Sequence, residues 1–317
     1  MQSAGKHRAS TSSAEVDDHI MKPAPFGYHQ AASLPEAVEL LSAYEGTARV
    51  LSGGQSLVPM LHMRLVRPDA LVDLNRVPGL DAVEITAEGA TLAALVRYST
   101  VERSEPLAAA LPLLADVVTH VGDRQVRNRG TIGGSLAQGD PTGEVPLACT
   151  VLDASVVVVG PGGEREVPVR ELYETSYATV LDPCEVIRAV RFPPGPRLHA
   201  FAEMCRRHND FAVIAVACAG TPGEDGRFTG VRIGLGGVAE TPVRAEAAER
   251  RLEQSALNDD DLAEAAELAL EVADPPSDIR ATAEYRRHLV PIYVRRVLSE
   301  LRERAAAGTA ADRKAGA

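Results

Sequence analysis

Two glycine pairs set among small hydroxyl residues are the parts of this chain best suited to chemistry. The first lies in Val50-Leu51-Ser52-Gly53-Gly54-Gln55-Ser56-Leu57. The second lies in Arg127-Asn128-Arg129-Gly130-Thr131-Ile132-Gly133-Gly134-Ser135 and runs on to Gly139-Asp140-Pro141. Paired glycines permit left-handed backbone and remove the Cβ, so a ligand can approach the main chain. Successive N–H groups in such turns form a concave nest for an anion, typically a phosphate. One pair alone is ordinarily a turn. Two of them, each embedded in α/β-like sequence, point to a dinucleotide held between two loops.

The surrounding elements would have to position those loops. Ser33-Leu34-Pro35-Glu36 has the form of a capping box, opening a helix with Leu34, Ala37, Val38 and Leu41 on one face. Ala48 to Leu51 reads as a short strand into the first loop, Leu57 to Leu65 as a short helix, and Ala70 to Leu74 as another strand. The first loop then sits at the carboxyl end of a strand, where α/β layers bind ligands. Val83 to Leu95 alternates around Glu88-Gly89 as a hairpin. Ser99-Thr100-Val101-Glu102 reads as a second capping box. Leu111 to Val121 is helical and leads through Gly122-Asp123 to the second loop. Pro146 to Leu152 reads as a helix, and a hairpin turns at Pro161-Gly162-Gly163. In the last third, Phe211 to Ala219 and Arg227 to Leu235 read as strands. Helical patterns follow over 244–254, 259–272 and 279–305. The Arg-rich face of the last helix reads as a solvated surface.

Composition excludes several classes. The net charge of −11 argues against nucleic acid, whose binding relies on clustered Lys and Arg. An acidic protein holding a pyrophosphate would use backbone amides more than lysines. Cys149, Cys184, Cys205 and Cys218 are scattered with no C-x-x-C pair, which argues against zinc, iron–sulfur clusters and a disulfide framework within this chain. No window approaches the ~18 apolar residues of a membrane span. Residues 1–20 lack the apolar core of a secretory signal and read as a disordered extension. The expected location is cytoplasmic. His29, His62, His120, His199, His208 and His288 show no ligand spacing and read as surface or satisfied core residues. Asp140 and Glu144 could form a paired-carboxylate acid/base set, though their loop context favours a structural or ribose-binding role.

The ordered pair of motifs resembles the FAD-binding medium subunit of the molybdenum hydroxylases, the family of carbon monoxide dehydrogenase and xanthine dehydrogenase. The family's A-G-G-x-S-L is Ser52-Gly53-Gly54-Gln55-Ser56-Leu57 here, and its T-I-G-G-N followed by A-D-P is Thr131-Ile132-Gly133-Gly134-Ser135 and Gly139-Asp140-Pro141. Leu71-Val72-Asp73-Leu74, Gln125-Val126-Arg127-Asn128, Arg206 to Ala212, Asp278-Ile279-Arg280 and Tyr285-Arg286 extend the similarity over about 24–303. It implies an α+β chain: a two-lobed PCMH-type FAD-binding domain over 21–195, with lobes about 24–80 and 81–195. A smaller α+β C-terminal domain over 196–305 and a flexible tail over 306–317 would follow.

The resemblance also implies which residues meet FAD. Leu51 to Leu57 would wrap the pyrophosphate, with Ser52, Gly53, Gly54, Gln55 and Ser56 offering amides. Gly130, Thr131, Ile132, Gly133, Gly134 and Ser135 would hold the other side of the diphosphate and the ribityl chain. Gly122 would lie against the cofactor, Asp140 and Glu144 would flank it with Glu144 on the adenosine ribose, and Phe201 and Ile187 would lie by the isoalloxazine. No catalytic or metal-binding residue is expected. The chain departs from the family at Ser52 (for Ala), Ser135 (for Asn), Gln138 (for His) and Glu203, near a position often held by Lys; a charge there would tune the flavin. Ser52-Gly53-Gly54-Gln55-Ser56 is also similar to the R-S-G-G-H segment of covalent flavoproteins, and Gln55 cannot form that bond, so FAD should be noncovalent.

The implied function is electron transfer. A large subunit would carry molybdopterin and a small subunit the [2Fe–2S] clusters, in a dimer of heterotrimers. This chain would pass their electrons through FAD to an external acceptor. A self-sufficient flavin oxidoreductase and a non-catalytic scaffold are the alternatives; the first would turn over substrate alone, the second would purify colourless.

Overall fold

A computed structural model describes residues 22–196, 198–207 and 209–315, with side chains to 307; the extension over 1–20 and the last two residues lie outside the described residues. The first unit is built from β1 (Gly27–Gln30), α1 (Leu34–Ala43), β2 (Ala48–Leu51), α2 (Leu57–His62) and β3 (Ala70–Asp73). Its three strands are parallel in the order β1-β3-β2, and β3, buried along its whole length, is the apolar centre. Both Leu51 and Asp73 end their strands at the same edge, so the first glycine loop leaves the carboxyl side of the sheet.

The second unit contains β4 (Val83–Thr86), β5 (Gly89–Ala93), α3 (Tyr98–Arg103), α4 (Glu105–Ala110), α5 (Pro112–Val117), α6 (Arg124–Arg129), α7 (Ile132–Gln138) and α8 (Glu144–Val151). It continues with β6 (Ser155–Gly160), β7 (Gly163–Pro168), β8 (Tyr173–Thr175), β9 (Ala178–Thr179) and β10 (Val186–Phe192). A five-stranded antiparallel sheet, β4-β5-β10-β6-β7, carries the helices. Every residue of α8 from Val145 to Val151 is buried. A helix apolar all round belongs between layers, and α8 lies between this unit and the last one, packed on α5, α7 and the third sheet.

The last unit has a four-stranded antiparallel sheet of β11 (Leu198–Cys205), β12 (Ala212–Pro222), β13 (Phe228–Gly236) and β14 (Val243–Arg244). It is covered by α9 (Glu246–Leu252), α10 (Asp259–Leu268) and α11 (Ala283–Ala315). The backbone of α11 stays helical to Ala315, into the segment read from sequence as a flexible tail.

Several local expectations change in the folded chain. At the start of α1, Ser33 Oγ accepts from the Glu36 amide, but the Glu36 carboxylate returns to the Ala32 amide at 2.7 Å rather than to Ser33. Ser99 caps nothing: α3 begins at Tyr98, and Ser99 is buried inside it. The cap falls on Ser104 at the start of α4. The Arg face of α11 is not wholly solvated either. Arg286 is 1% exposed and donates to the carbonyls of Val213 and Gly237 at 2.6 and 2.9 Å and to Asp278 at 2.8 Å. The same Gly237 donates to Pro141, so α11 braces the loop after the second glycine pair.

Candidate cofactor site

The two glycine segments meet. A Cβ on Gly53 would lie 2.3 Å from the Arg129 carbonyl oxygen and 3.0 Å from Gly130 Cα, so the first loop rests directly on the backbone ahead of the second segment. Across the same junction Ser52 Oγ lies 3.2 Å from Thr131 Oγ1, and a Cβ on Gly134 would come within 2.7 Å of Ser52 Oγ. Only Gly54 of the four paired glycines has a left-handed backbone, at φ +73°. The other three are required by close approach instead.

The amides of the two segments differ in what they are free to do. Those of Gly53, Gly54, Gln55 and Ser56 donate to no described group of the chain, and Gln55 and Ser56 are exposed. The second segment is not an open loop but a helix start. Ile132 donates to Val96, Gly133 to Ala94, and Ser135 to Thr131, while Thr131 Oγ1 caps α7 by accepting from Gly134 at 3.0 Å. The first loop presents free donors, and the second segment presents a capped helix start with a Cβ-free wall. Its Thr131 and Ile132 are buried.

Asn75 and Arg97, which motif reading did not single out, lock this junction. Asn75 Nδ2 donates to the Ser52 carbonyl at 2.9 Å and to Asp73 Oδ1 at 2.6 Å. Arg97 donates both to Asn75 Oδ1 and to the Arg129 carbonyl, tying one loop to the other. Arg97 is partly buried, and that burial, with Arg129 beside it, lowers its proton affinity. Tyr98 packs its ring on Gly130, where a Cβ would come within 2.4 Å of Cε2, and its hydroxyl pairs with Ser135. No sequence pattern marked these residues, because each acts on a group over 20 positions away.

The remaining predicted residues divide. Leu51 and Leu57 flank the first loop as the end of β2 and the start of α2. Gly122 has a left-handed backbone, φ +49°, at the turn into α6. Asp140 closes a local turn by accepting from the Thr142 amide and hydroxyl at 2.8 and 2.7 Å. Glu144 begins α8; burial pushes its carboxyl up to about 8, with the charges of Glu203 and Asp140 adding to the shift. Phe201 on β11 stacks edge-on against His120, with ring centroids 4.8 Å apart, and lines a cleft of about 430 Å³. Ile187 on β10 is buried beside Val158 and does not line that cleft. Gln138 donates to Met60 Sδ at 3.6 Å, so it joins α7 to α2.

Comparison with known proteins identifies this arrangement. Residues 24–195 match the family described as FAD binding domain in molybdopterin dehydrogenase, and residues 199–301 match the CO dehydrogenase flavoprotein C-terminal domain. The chain belongs to the FAD-binding medium subunits of the molybdenum hydroxylases. It is 37% identical to the 6-hydroxypseudooxynicotine dehydrogenase complex subunit alpha of Paenarthrobacter nicotinovorans, over 90% of this chain and 97% of that one. It is 35% identical to the carbon monoxide dehydrogenase medium chain of Afipia carboxidovorans, over 90% and 99%. A solved structure of reconstituted CO dehydrogenase from Oligotropha carboxidovorans superposes with a TM-score of 0.87 at 35% identity, covering 90% of this chain and all of that one. This medium subunit is therefore an oxidoreductase flavoprotein with an FAD-binding domain. Among its described residues no helix is long and apolar enough to cross a membrane.

Proposed function

We propose that this chain carries FAD between the one-electron donors of a partner iron–sulfur subunit and an external acceptor, within a complex whose large subunit holds the molybdenum cofactor. The observation that carries the reading is the row of undonated amides from Gly53 to Ser56, set against the backbone at Arg129 and Gly130. An anion is the partner such a row lacks, and an acidic chain offers few lysines to replace it. The relatives are named as medium or alpha subunits of dehydrogenase complexes, which supports large and small partner subunits here. The arrangement we favour is a dimer of heterotrimers.

In this reading Gly53 to Ser56 bind the pyrophosphate. Gly134, Ser52 and Thr131 form the wall along the ribityl chain, and Glu144 accepts from ribose hydroxyls. Phe201 and Gly122 exclude water beside the ring, while Ile187 supports β10 from the core. Bound FAD would supply the ability to take electrons singly and give them singly or in pairs. The protein would hold it in place and set the local charge.

Two tests follow. The purified full chain should show flavin absorption near ~450 nm that moves wholly to the supernatant on acid precipitation, because Gln55 offers no ring nitrogen for a covalent link. Colour retained in the pellet would overturn the noncovalent assignment, and a chain that refuses added FAD would overturn the site. Arg97→Met removes the tie between Asn75 and Arg129. It should weaken FAD binding about tenfold, since hydrogen bonds to a charged group contribute about 1.5–3 kcal/mol and part of that loss is recovered by water. Fluorescence quenching of FAD measures it; an unchanged Kd would show that the tie is not needed to hold the loops.

A further inference from the structure

The cleft beside Phe201, between the second and last units, contains a pair of titratable groups with an unsatisfied oxygen. His120, at the end of the turn after α5, places Nδ1 3.4 Å from Oε1 of Glu203 on β11. The Glu203 side chain is only 13% exposed, and its Oε2 is buried with no hydrogen-bond partner. Both residues line the cleft, with Cys205, Arg207, Arg296 and Phe201 around them.

A second pair on the same α5–β11 seam gives the comparison. His199 Nε2 lies 3.1 Å from Asp116 Oδ2, and Arg304 closes that network by donating to the His199 carbonyl at 2.8 Å and to Glu300 at 2.6 Å. A pair whose only task was to join the second and last units would be satisfied in the same way. Glu203 instead keeps one oxygen bare at a cavity wall. A buried carboxylate oxygen without a donor carries an uncompensated desolvation cost. A proton or a ligand donor arriving at Oε2 removes that cost.

We propose that His120 and Glu203 are a proton-exchanging dyad for the flavin ring, Glu203 facing the cofactor and His120 acting through it as positioning residue and proton store. This rests on the reading that the isoalloxazine enters the cleft beside Phe201. For each pair of electrons that one-electron donors deliver to the ring, the dyad passes on one proton. It moves from His120 Nδ1 to Glu203 Oε1, and from the Glu203 carboxyl through Oε2 to the ring. Solvent restores it through His120, which is 38% exposed. When the electrons leave without hydrogen, the proton returns by the same route; when they leave as a hydride, the ring proton departs with them and solvent recharges the dyad through His120.

The surrounding charges suit the task. His120 faces Glu203 from β11, Asp116 from α5 and Glu144 from α8, and Arg207, Arg296 and Glu300 complete the cleft. The hydrogen bond to Glu203 raises the proton affinity of His120, burial opposes it, and the charges of Glu203, Asp116 and Glu144 add to the rise.

The test uses the FAD-loaded full chain. The His120 ring, assigned by its loss in His120→Gln, is titrated by NMR with the flavin oxidised and reduced, and the midpoint potential is followed against pH. Electron arrival should raise the proton affinity of His120 by about tenfold or more, producing an extra break in the potential–pH curve. Glu203→Gln and His120→Gln should abolish the break, and Glu203→Asp should restore it. A flavin that loads and reduces while His120 titrates identically in both states overturns the dyad and leaves the flavin site standing. A wild-type chain that takes up no FAD overturns the site and the dyad together.

Discussion

Gly53→Ala should cost the full chain about 100-fold in FAD affinity, a loss of about 2–3 kcal/mol. The new Cβ would sit 2.3 Å from the Arg129 carbonyl oxygen and 3.0 Å from Gly130 Cα. Both neighbours are backbone, so no rotamer change relieves the contact, and overpacking of this kind typically costs 1–3 kcal/mol. The Arg129 carbonyl is held by Arg97, and the Gly53 side of the junction is held through the Ser52 carbonyl by Asn75. The loops must therefore separate as rigid pieces, and the amides of Gly53 to Ser56 lose their alignment on a common anion. Gly162→Ala is the control. It lies in the β6–β7 turn with nothing within 4 Å of its built Cβ and no left-handed φ, so it should leave both stability and affinity unchanged. Fluorescence quenching by the chain at a series of FAD concentrations gives the two Kd values. A Gly53→Ala chain that binds within threefold of wild type would show that the loop contact is not part of the site.

Glu144→Gln should change the stability of the cofactor-free chain and its affinity for FAD in opposite directions. Burial, aided by Glu203 and Asp140, raises the Glu144 carboxyl from its ordinary 4.5 to about 8. The folded chain thus holds this proton more tightly than the unfolded chain does. The stabilising contribution is fully present below about pH 4.5 and is lost progressively as pH rises through about 8. Glutamine keeps the shape and removes the ionisation. The cofactor-free variant should match wild type near pH 4.5 and melt several degrees higher above pH 8, for roughly 1–2 kcal/mol. FAD should bind the variant about tenfold more weakly at pH 8, because an ionised carboxylate accepts ribose hydroxyls better than an amide does. Wild-type affinity should rise with pH through the same window, since accepting those bonds favours the charged form, and the variant should be flat. Thermal melts with and without FAD at several pH values provide both readouts. A variant destabilised at pH 8 without FAD would overturn the account of Glu144 as a half-buried acid that holds its proton more tightly in the folded chain.

The positions of the glycines, and the kind of ligand they suit, were legible in the chain itself. A missing Cβ, a strand running into a turn, and hydroxyl residues beside paired glycines are local properties, and local properties survive in a one-dimensional reading. The same holds for the strand at Ala70 to Asp73, for the two hairpins, and for the helix read at Pro146 to Leu152, which the fold starts two residues earlier at Glu144. Local pattern was insufficient wherever a group's role depends on its partner. Thr131 to Ser135 reads as an open loop until Val96 and Ala94 take its first amides and make it a helix start. Ser99 has capping chemistry, yet burial inside α3 removes it from the helix end. Arg286 belongs to an apparently solvated face, and only the carbonyls of Val213 and Gly237, 73 and 49 positions away, draw it into the interior. His120 and Glu203 stand more than 80 residues apart and meet because α5 packs on β11. Backbone conformation is written in neighbouring residues; hydrogen-bond partners and desolvation are set by which distant elements fold against each other.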